Sequence, residues 1–283
     1  MIAAVVAAAT LILSVAPPAD PAAASALRGA QAYVAYANAH GGIRGKQLVL
    51  STEAPADAVF AFEDLPRYAP PPRAEGDAYG RYLAAQLSAE RVAVLWSGDD
   101  AGRLLLAGLR RSAAAQVVAS GRIDPALPDV ATQLAALQAS GATVLCVLAP
   151  AFAADVYAAL AQLRWKPALV AAASPVRPPV GTVSADWLST ASPLFRTIGR
   201  STDRAYVSGL AAAFTAVDVL RRAGDVPTAV TIARAAAALN EANNPFLLSG
   251  IKVRPAAATA QLTLARWLAG RWQAFGGLLT ARA

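Results

Sequence analysis

The side chains that most often perform catalysis are few in this sequence. His40 is the only histidine and Cys146 the only cysteine among 283 residues. A single histidine excludes a multi-histidine metal site, and a Ser-His-Asp triad or a Cys-His pair would have to use His40 itself. His40 precedes Gly41-Gly42 at the predicted end of a helix, where partial positive charge is favourable, so a capping or surface role is predicted. Cys146 lies in an apolar run, residues 143–149, which favours a small buried hydrophobic side chain over a nucleophile.

Among the acidic residues, only those at 99–100 have two possible roles, cation binding or helix capping. Gly98-Asp99-Asp100 could bind a hard cation such as Mg²⁺ or Ca²⁺, which prefers carboxylates. Asp in front of a helix also caps free N–H groups, and this is the role we predict. Glu53, Glu63 and Asp64 have no partner at a defined spacing for paired acid and base catalysis. Phosphate-loop, dinucleotide and zinc patterns do not occur, so no enzyme activity, cofactor or metal is predicted.

Composition narrows the class of protein further. The net charge is +7, but the arginines are dispersed, without the clustered basic and aromatic residues typical of nucleic-acid binding. Hydrophobic residues make up 56% and charged residues 15%, which predicts a folded chain with a large core. Beyond the N-terminus no apolar run is long enough to span a bilayer, so a soluble body is expected. A single cysteine allows no intrachain disulfide and does not identify the compartment.

Helices and strands must position whatever site exists, and residues 28–50 show the clearest pattern. Apolar residues at helical spacing predict a helix over 27–39, which the double glycine at 41–42 ends. A second turn leads into a short strand over 47–50. This is the αβ half of a βαβ unit.

After the prolines at 66 and 70–72, which we expect to break regular structure, helices and strands alternate. Unbroken apolar strands between helices predict a parallel sheet covered on both faces. Residues 175–193 are rich in proline and predict an irregular return path or hinge. The predicted helices are 79–87, 102–115, 128–139, 152–163, 203–223 and 227–239, and the predicted strands are 91–96, 117–121, 143–149, 169–173, 247–253 and two arms within 261–275.

The first helix and turn resemble those of a known family. Asn38, Gly41, Gly42, Ile43 and Gly45 match the Asn-x-x-Gly-Gly-Ile-x-Gly pattern of type I periplasmic binding proteins, the Leu/Ile/Val-binding family of ABC-transporter receptors. Arg67 to Pro70 is similar to the family's crossing between lobes, and residues 205–224 to its late helix. The resemblance implies a two-lobed α/β fold in which helices cover parallel sheets.

The resemblance also implies domain bounds and a shortened first lobe. About 60 residues, or about two βα units, that the family carries between its second strand and the crossing are absent. We assign residues 11–68 and 185–245 to the reduced first lobe. Residues 69–184 and 246–283 are assigned to the second lobe.

The N-terminus has two interpretations. Residues 2–15 resemble the apolar region of a secretory signal, followed by small residues at 22–26, although no Lys or Arg precedes them. Alternatively, residues 11–15 form the first strand, with residues 1–10 as a signal or an N-terminal remnant. The resemblance favours the strand, because the family has an Ala-Pro loop at this distance before its first helix.

In two-lobed α/β proteins, ligands bind outside the carboxyl ends of the parallel strands, so we expect a cleft there. The resemblance implies an exported, periplasmic, monomeric solute-binding protein that delivers a small organic molecule to an ABC permease. The position near Ala173-Ser174 that the family uses for an acidic residue is not acidic, which favours a ligand less polar than a free amino acid. The alternative is a degenerate binding-protein fold that acts as a sensor or interaction subunit without transport. The candidate ligand-binding residues are Pro17, Pro18, Trp96, Ser97, Pro150, Phe152 and Ser174.

Overall fold

The computed structural model describes residues 10–53, 60–61, 69–254 and 261–280. The chain divides into two compact units. The first contains residues 1–68 and 188–258, and the second contains residues 69–187 and 259–283.

Among its described residues, the first unit contains a small parallel sheet and four helices. One helix precedes the segment 69–187 of the second unit in the sequence, and three follow it. Its strands are β1 (Thr10–Ser14), β2 (Gln47–Ser51) and β3 (Phe60–Ala61), in the order β2-β1-β3. The sheet aligns Leu11 with Leu48 and Leu13 with Phe60. The predicted first strand is therefore present. The helices of this unit are α1 (Pro21–Ala39), α6 (Pro193–Ile198), α7 (Arg204–Ala223) and α8 (Ala229–Ala237).

Helix α1 begins earlier than its apolar pattern predicts. Asp20 accepts a hydrogen bond from the N–H of Ala23, and Pro21 occupies the first turn, where its missing N–H costs nothing. The helix ends at His40, which is its C-cap, and its ring nitrogen Nδ1 lies 2.8 Å from the carbonyl oxygen of Tyr36. The predicted capping role of His40 is confirmed.

The second unit contains a seven-stranded sheet. Its order is β10-β9-β8-β7-β6-β4-β5, parallel from β8 to β5 and antiparallel between β8, β9 and β10. The strands are β4 (Val92–Ser97), β5 (Val117–Ile123), β6 (Val144–Leu148), β7 (Ala168–Ala171), β8 (Val183–Asp186), β9 (Gln261–Leu268) and β10 (Arg271–Thr280). The helices are α2 (Pro72–Gln86), α3 (Asp100–Ala113), α4 (Val130–Ala139) and α5 (Ala153–Leu163).

Helices cover both faces of this sheet, as the unbroken apolar strands predict. In β4, Val92 and Val94 belong to the core that α2 and α3 form with one face. Ala93 and Leu95 belong to the core under α4 and α5 on the other face. Because successive side chains of a strand point to opposite faces, a strand buried on both sides must be apolar throughout.

Three predicted segments differ from the structure. Residues 175–193 are not irregular throughout, since they contain β8, a strand short enough for the flanking prolines to hide its pattern. Helix α2 begins at Pro72 and not at Tyr79, because a proline at the first helical turn is compatible with a helix. Residues 247–253 form turns and isolated bridges instead of a strand.

The assignment of residues 246–258 to the second lobe also differs from the observed units. Phe246 is fully buried in the first unit, with its ring 5.8 Å from that of Tyr33 and 6.4 Å from that of Phe214. Its carbonyl oxygen accepts a hydrogen bond from the N–H of Ser189. An aromatic cluster therefore holds this segment in the first unit.

Candidate functional site at the carboxyl edge of the second unit

Five of the seven candidate residues lie at one edge of the second unit's sheet. Strands β4, β6 and β7 are parallel and end at Ser97, Leu148 and Ala171, so their following loops meet at this carboxyl edge. Pro17 and Pro18 lie in the first unit, where they are exposed after β1. The candidates at the carboxyl edge are Trp96, Ser97, Pro150, Phe152 and Ser174.

Ser174 joins two of the loops. Its hydroxyl donates to the carbonyl oxygen of Pro150 at 3.3 Å and accepts from the N–H of Val176 at 3.2 Å. The residue is 8% exposed. The loop after β7 is therefore fastened to the short 3₁₀ turn, Pro150–Phe152, that follows β6.

Ser97 is engaged in the cap of α3. Its hydroxyl donates to Oδ1 of Asp99 at 2.9 Å, and the same oxygen accepts from the N–H of Gly102 at 2.7 Å. Ser97 is 1% exposed. The capping role predicted for Asp99 is confirmed, and Ser97 supports it.

The aromatic candidates are accessible in part. Trp96 and Phe152 are half-buried, and they pack against the cores on opposite faces of the sheet. The guanidinium of Arg122, at the end of β5, lies 5.8 Å from the centre of the Trp96 ring, a distance at which a cation is attracted by an aromatic face. These rings supply apolar surface at the edge.

Glu75 and Tyr79 of α2 are polar residues of this edge that the sequence analysis missed. Oε1 of Glu75 accepts from the N–H of Ala173 at 2.7 Å and from the hydroxyl of Tyr79 at 2.6 Å. Glu75 is 7% exposed and Tyr79 is fully buried. The loop at 173–174 has no acidic residue of its own, but α2 brings a carboxyl group directly to its backbone.

The Tyr79 hydroxyl connects three elements. Its oxygen also lies 2.9 Å from the carbonyl oxygen of Ala171 and accepts from the N–H of Ala185 at 3.0 Å. Burial first, and then the adjacent Glu75, raise the pKa of the phenol well above its usual value. The hydroxyl therefore remains protonated and links α2, β7 and β8, since it can donate to Glu75 or Ala171 while it accepts from Ala185.

Asp186 is a second buried acid at the edge. It ends β8, which runs parallel to β7, and it is 8% exposed. One of its carboxylate oxygens accepts from the N–H of Trp187 at 2.9 Å. Asp186 is not predicted from the sequence, because the prolines of residues 175–193 indicate irregular structure there. The spacing of Glu75 and Tyr79, one helical turn apart, was a usable signal, but their partners lie about a hundred residues away in the chain.

Nothing in the described part of the chain supports nucleophilic or metal chemistry. Cys146 is buried in β6, and burial raises the pKa of its thiol, which keeps the thiolate form scarce. Across residues 10–53, 60–61, 69–254 and 261–280, no group of three or more His, Cys, Asp or Glu could hold a metal ion. The same residues contain no helix that is long and apolar enough to cross a membrane.

Comparisons with known proteins agree with this architecture. A family model described as periplasmic binding protein matches residues 62–180. No curated protein sequence matches the chain. The predicted resemblance to periplasmic binding proteins is thus confirmed by the family model over the start of the second unit.

Solved structures show the same fold over nearly the whole chain. A fatty acid ABC transporter substrate-binding protein from Thermomonospora curvata is 14% identical, with a TM-score of 0.78, covering 96% of this chain and 93% of that one. A branched chain amino acid ABC transporter from Thermus thermophilus, crystallised with bound valine, is 18% identical, with a TM-score of 0.75 and 96% of both chains covered. A substrate-binding periplasmic protein from Ralstonia solanacearum is 17% identical, with a TM-score of 0.72, covering 91% and 97%. The chain has the type I periplasmic-binding-protein fold.

Proposed function

We propose that this protein is an exported solute-binding protein of an ABC-type uptake system. It captures a small organic molecule at the carboxyl edge of the second unit and presents it to a membrane permease, as a periplasmic monomer. The observation that carries the proposal is the similarity of fold, over 96% of the chain, to a substrate-binding protein of an ABC transporter. The matched family is one of binding proteins, which favours capture over catalysis.

The chemistry of the edge favours a ligand with a mainly apolar body. Trp96 and Phe152 offer half-exposed aromatic surface, whereas the hydroxyls of Ser97 and Ser174 already donate to protein oxygens. A ligand would meet few uncommitted hydroxyl donors there, and a buried polar group without a partner lowers affinity. We infer a ligand less polar than a free amino acid.

A thermal-stability screen tests the proposal. Amino acids, aromatic acids and alcohol metabolites are added singly, and at least one compound is expected to raise the melting temperature. A ligand present at about 100 times its Kd would stabilise the native state by about 2.7 kcal/mol.

Substitutions at the carboxyl edge test whether a compound that stabilises the protein binds there. Trp96→Ala and Phe152→Ala are expected to reduce the thermal shift, because each removes an aromatic wall. Val180→Ala is the matched control, since Val180 is 76% exposed and precedes β8 at the opposite edge of the sheet. A flat screen with the wild-type protein, together with a stable protein partner recovered by pull-down, would favour the interaction-subunit alternative.

A further inference from the structure

A groove lies on one face of the second unit, between helix α2 and the hairpin of β9 and β10. Its volume is about 610 Å³, within the range of small-molecule sites. Its apolar walls come from Ala78, Tyr82 and Ala85 of the helix and from Leu264, Phe275 and Leu279 of the hairpin.

The groove exists because the hairpin extends the sheet beyond β8 while α2 presents small residues towards it. Ala78 and Ala85 are small, so they fill little of the space beside the helix. Strand β10 also shifts register between Phe275 and Leu279, and Gly276 within this bulge has φ +75°. A bulge bends the strand and turns it away from its neighbours, which leaves the space open.

Two arginines line this apolar space. Nε of Arg81 lies 3.2 Å from a carboxylate oxygen of Asp77 in an ion pair, and both Nε and Nη2 are buried atoms without a hydrogen-bond partner among the described residues. The Arg81 side chain as a whole is 39% exposed and lines the groove, so it contributes a positive charge there.

Arg266 provides the second positive charge. Its guanidinium lies 5.4 Å from the centre of the Phe275 ring, and its Nη2 donates to the Tyr82 hydroxyl at 3.5 Å, a long contact. Tyr82 and Phe275 are themselves packed edge to face, 5.8 Å apart. No acidic residue is among those that line the groove in the described part of the chain.

We propose that this groove binds a small organic anion with an apolar tail, of the class of medium-chain monocarboxylates. The carboxylate meets the guanidinium groups of Arg81 and Arg266, and the tail lies along Tyr82, Leu264 and Leu279. Charge complementarity selects the anion, and burial of the tail supplies apolar contact. The site is separate from the carboxyl edge, and the inference does not depend on the proposed transport function.

Titration calorimetry with decanoate, kept below its micelle concentration, tests this proposal. Decanoate is expected to bind the wild-type protein, and decanol, which has the same chain without the charge, to bind at least about tenfold more weakly, because hydrogen bonds to charged groups contribute about 1.5–3 kcal/mol. Equal binding of decanol, or no binding of decanoate, would overturn the inference.

Two variants place the ligand in the groove. Arg266→Gln is expected to weaken decanoate binding by at least about tenfold. Ala85→Phe, an exposed helix position at the groove, is expected to block it sterically. Arg266 is chosen over Arg81 because removing Arg81 would leave the buried Asp77 without its ion pair.

Control variants and a folding check complete the design. Val180→Ala should bind decanoate as the wild type does, and circular dichroism should show that every variant is folded. Unchanged binding of decanoate by both Arg266→Gln and Ala85→Phe would place the ligand elsewhere and contradict the groove.

Discussion

Buried polar side chains hold the elements of each unit in register. In the second unit, the Tyr79 hydroxyl contacts Glu75, Ala171 and Ala185, and so links helix α2 to two strands. In a fully buried setting, each of these contacts replaces one that water would otherwise make. The residues that shape the candidate site are thus structural as well.

Replacing Tyr79 by Phe should destabilise the second unit by about 1–3 kcal/mol, because buried partners of the hydroxyl lose a hydrogen bond. Urea unfolding monitored by tryptophan fluorescence measures this loss of stability, since all five tryptophans belong to the second unit. Tyr82→Phe on the same helix is the control, because among the described residues its hydroxyl makes only the 3.5 Å contact with Arg266. Equal effects of both variants would contradict the linking role of Tyr79.

Glu241 is the corresponding buried acid of the first unit. It is 4% exposed, and its Oε2 accepts from the hydroxyl of Thr215 at 2.6 Å and from the amide of Asn244 at 3.2 Å. Its Oε1 is buried without a hydrogen-bond partner among the described residues. Burial raises the pKa of Glu241, and the charge of Asp218 adds to this rise. The two hydrogen bonds and the charge of Arg222 lower the pKa, but the net shift is upward.

The raised pKa sets the sign of a pH dependence. Below about pH 4.3, the usual pKa of Glu, the carboxyl is protonated in both folded and unfolded chains, and its contribution to stability is complete. As pH rises through the higher folded-state pKa, that contribution is lost. Glu241→Gln remains neutral, so its stability relative to the wild type should increase from about pH 4 to about pH 7.

Thermal unfolding by far-ultraviolet circular dichroism at several pH values measures this difference. Thr215 and Asn244 remain available to the glutamine oxygen, so the variant should fold. A difference in melting temperature that does not change with pH would show that Glu241 does not titrate differently in the folded state.

Helix pairs in both units approach closely at glycines. In the second unit, a Cβ at Gly108 of α3 would overlap the carbonyl oxygen of Arg73 in α2, and one at Gly76 would overlap the carbonyl oxygen of Leu105. In the first unit, Gly29 of α1 and Gly209 of α7 face each other's backbones in the same way. Backbone contact of this kind leaves no space for a methyl group.

Gly108→Ala should therefore destabilise the second unit by about 1–3 kcal/mol, although alanine alone favours a helix over glycine by about 1 kcal/mol. Urea unfolding monitored by tryptophan fluorescence measures the loss. Ser112→Ala, one turn later at an exposed position of α3, is the control and should change stability little. Stabilisation by Gly108→Ala would mean that the helices can separate without cost.

Periodicity predicted most helices and the buried parallel strands, because these patterns repeat over many residues. It failed where a pattern is short or where proline changes its meaning, as at β8 and at the start of α2. Residues 247–253 carry apolar side chains because Leu247, Ile251 and Val253 are buried in the first unit, and burial alone does not make a strand. A short apolar pattern in the sequence does not distinguish a buried turn from a buried strand.

The candidate site was predictable only in part for the same reason. The loops after parallel strands meet at one edge by topology, so Trp96, Ser97, Pro150, Phe152 and Ser174 could be placed together from sequence. Glu75 reaches Ala173 from a helix about a hundred residues earlier, and only the fold brings the two together. Whether the five edge residues bind a ligand stays a prediction.

Over 96% of its length the chain matches the fold of structures that share less than a fifth of its sequence. The first unit has three strands in its described sheet and the second has seven. All five predicted edge residues, both buried acids of the edge and the groove beside α2 belong to the second unit. We therefore propose that ligand recognition belongs chiefly to that unit.

Hydrogen–deuterium exchange, with and without the best compound from the stability screen, tests this assignment most directly. Protection is expected in the loops that follow β4, β6 and β7, at residues 96–99, 149–152 and 173–176. The amino-terminal ends of the same strands should exchange at the same rate with and without the compound. Protection confined to those opposite ends, with no change at the three loops, would contradict a solute-binding site at the carboxyl edge.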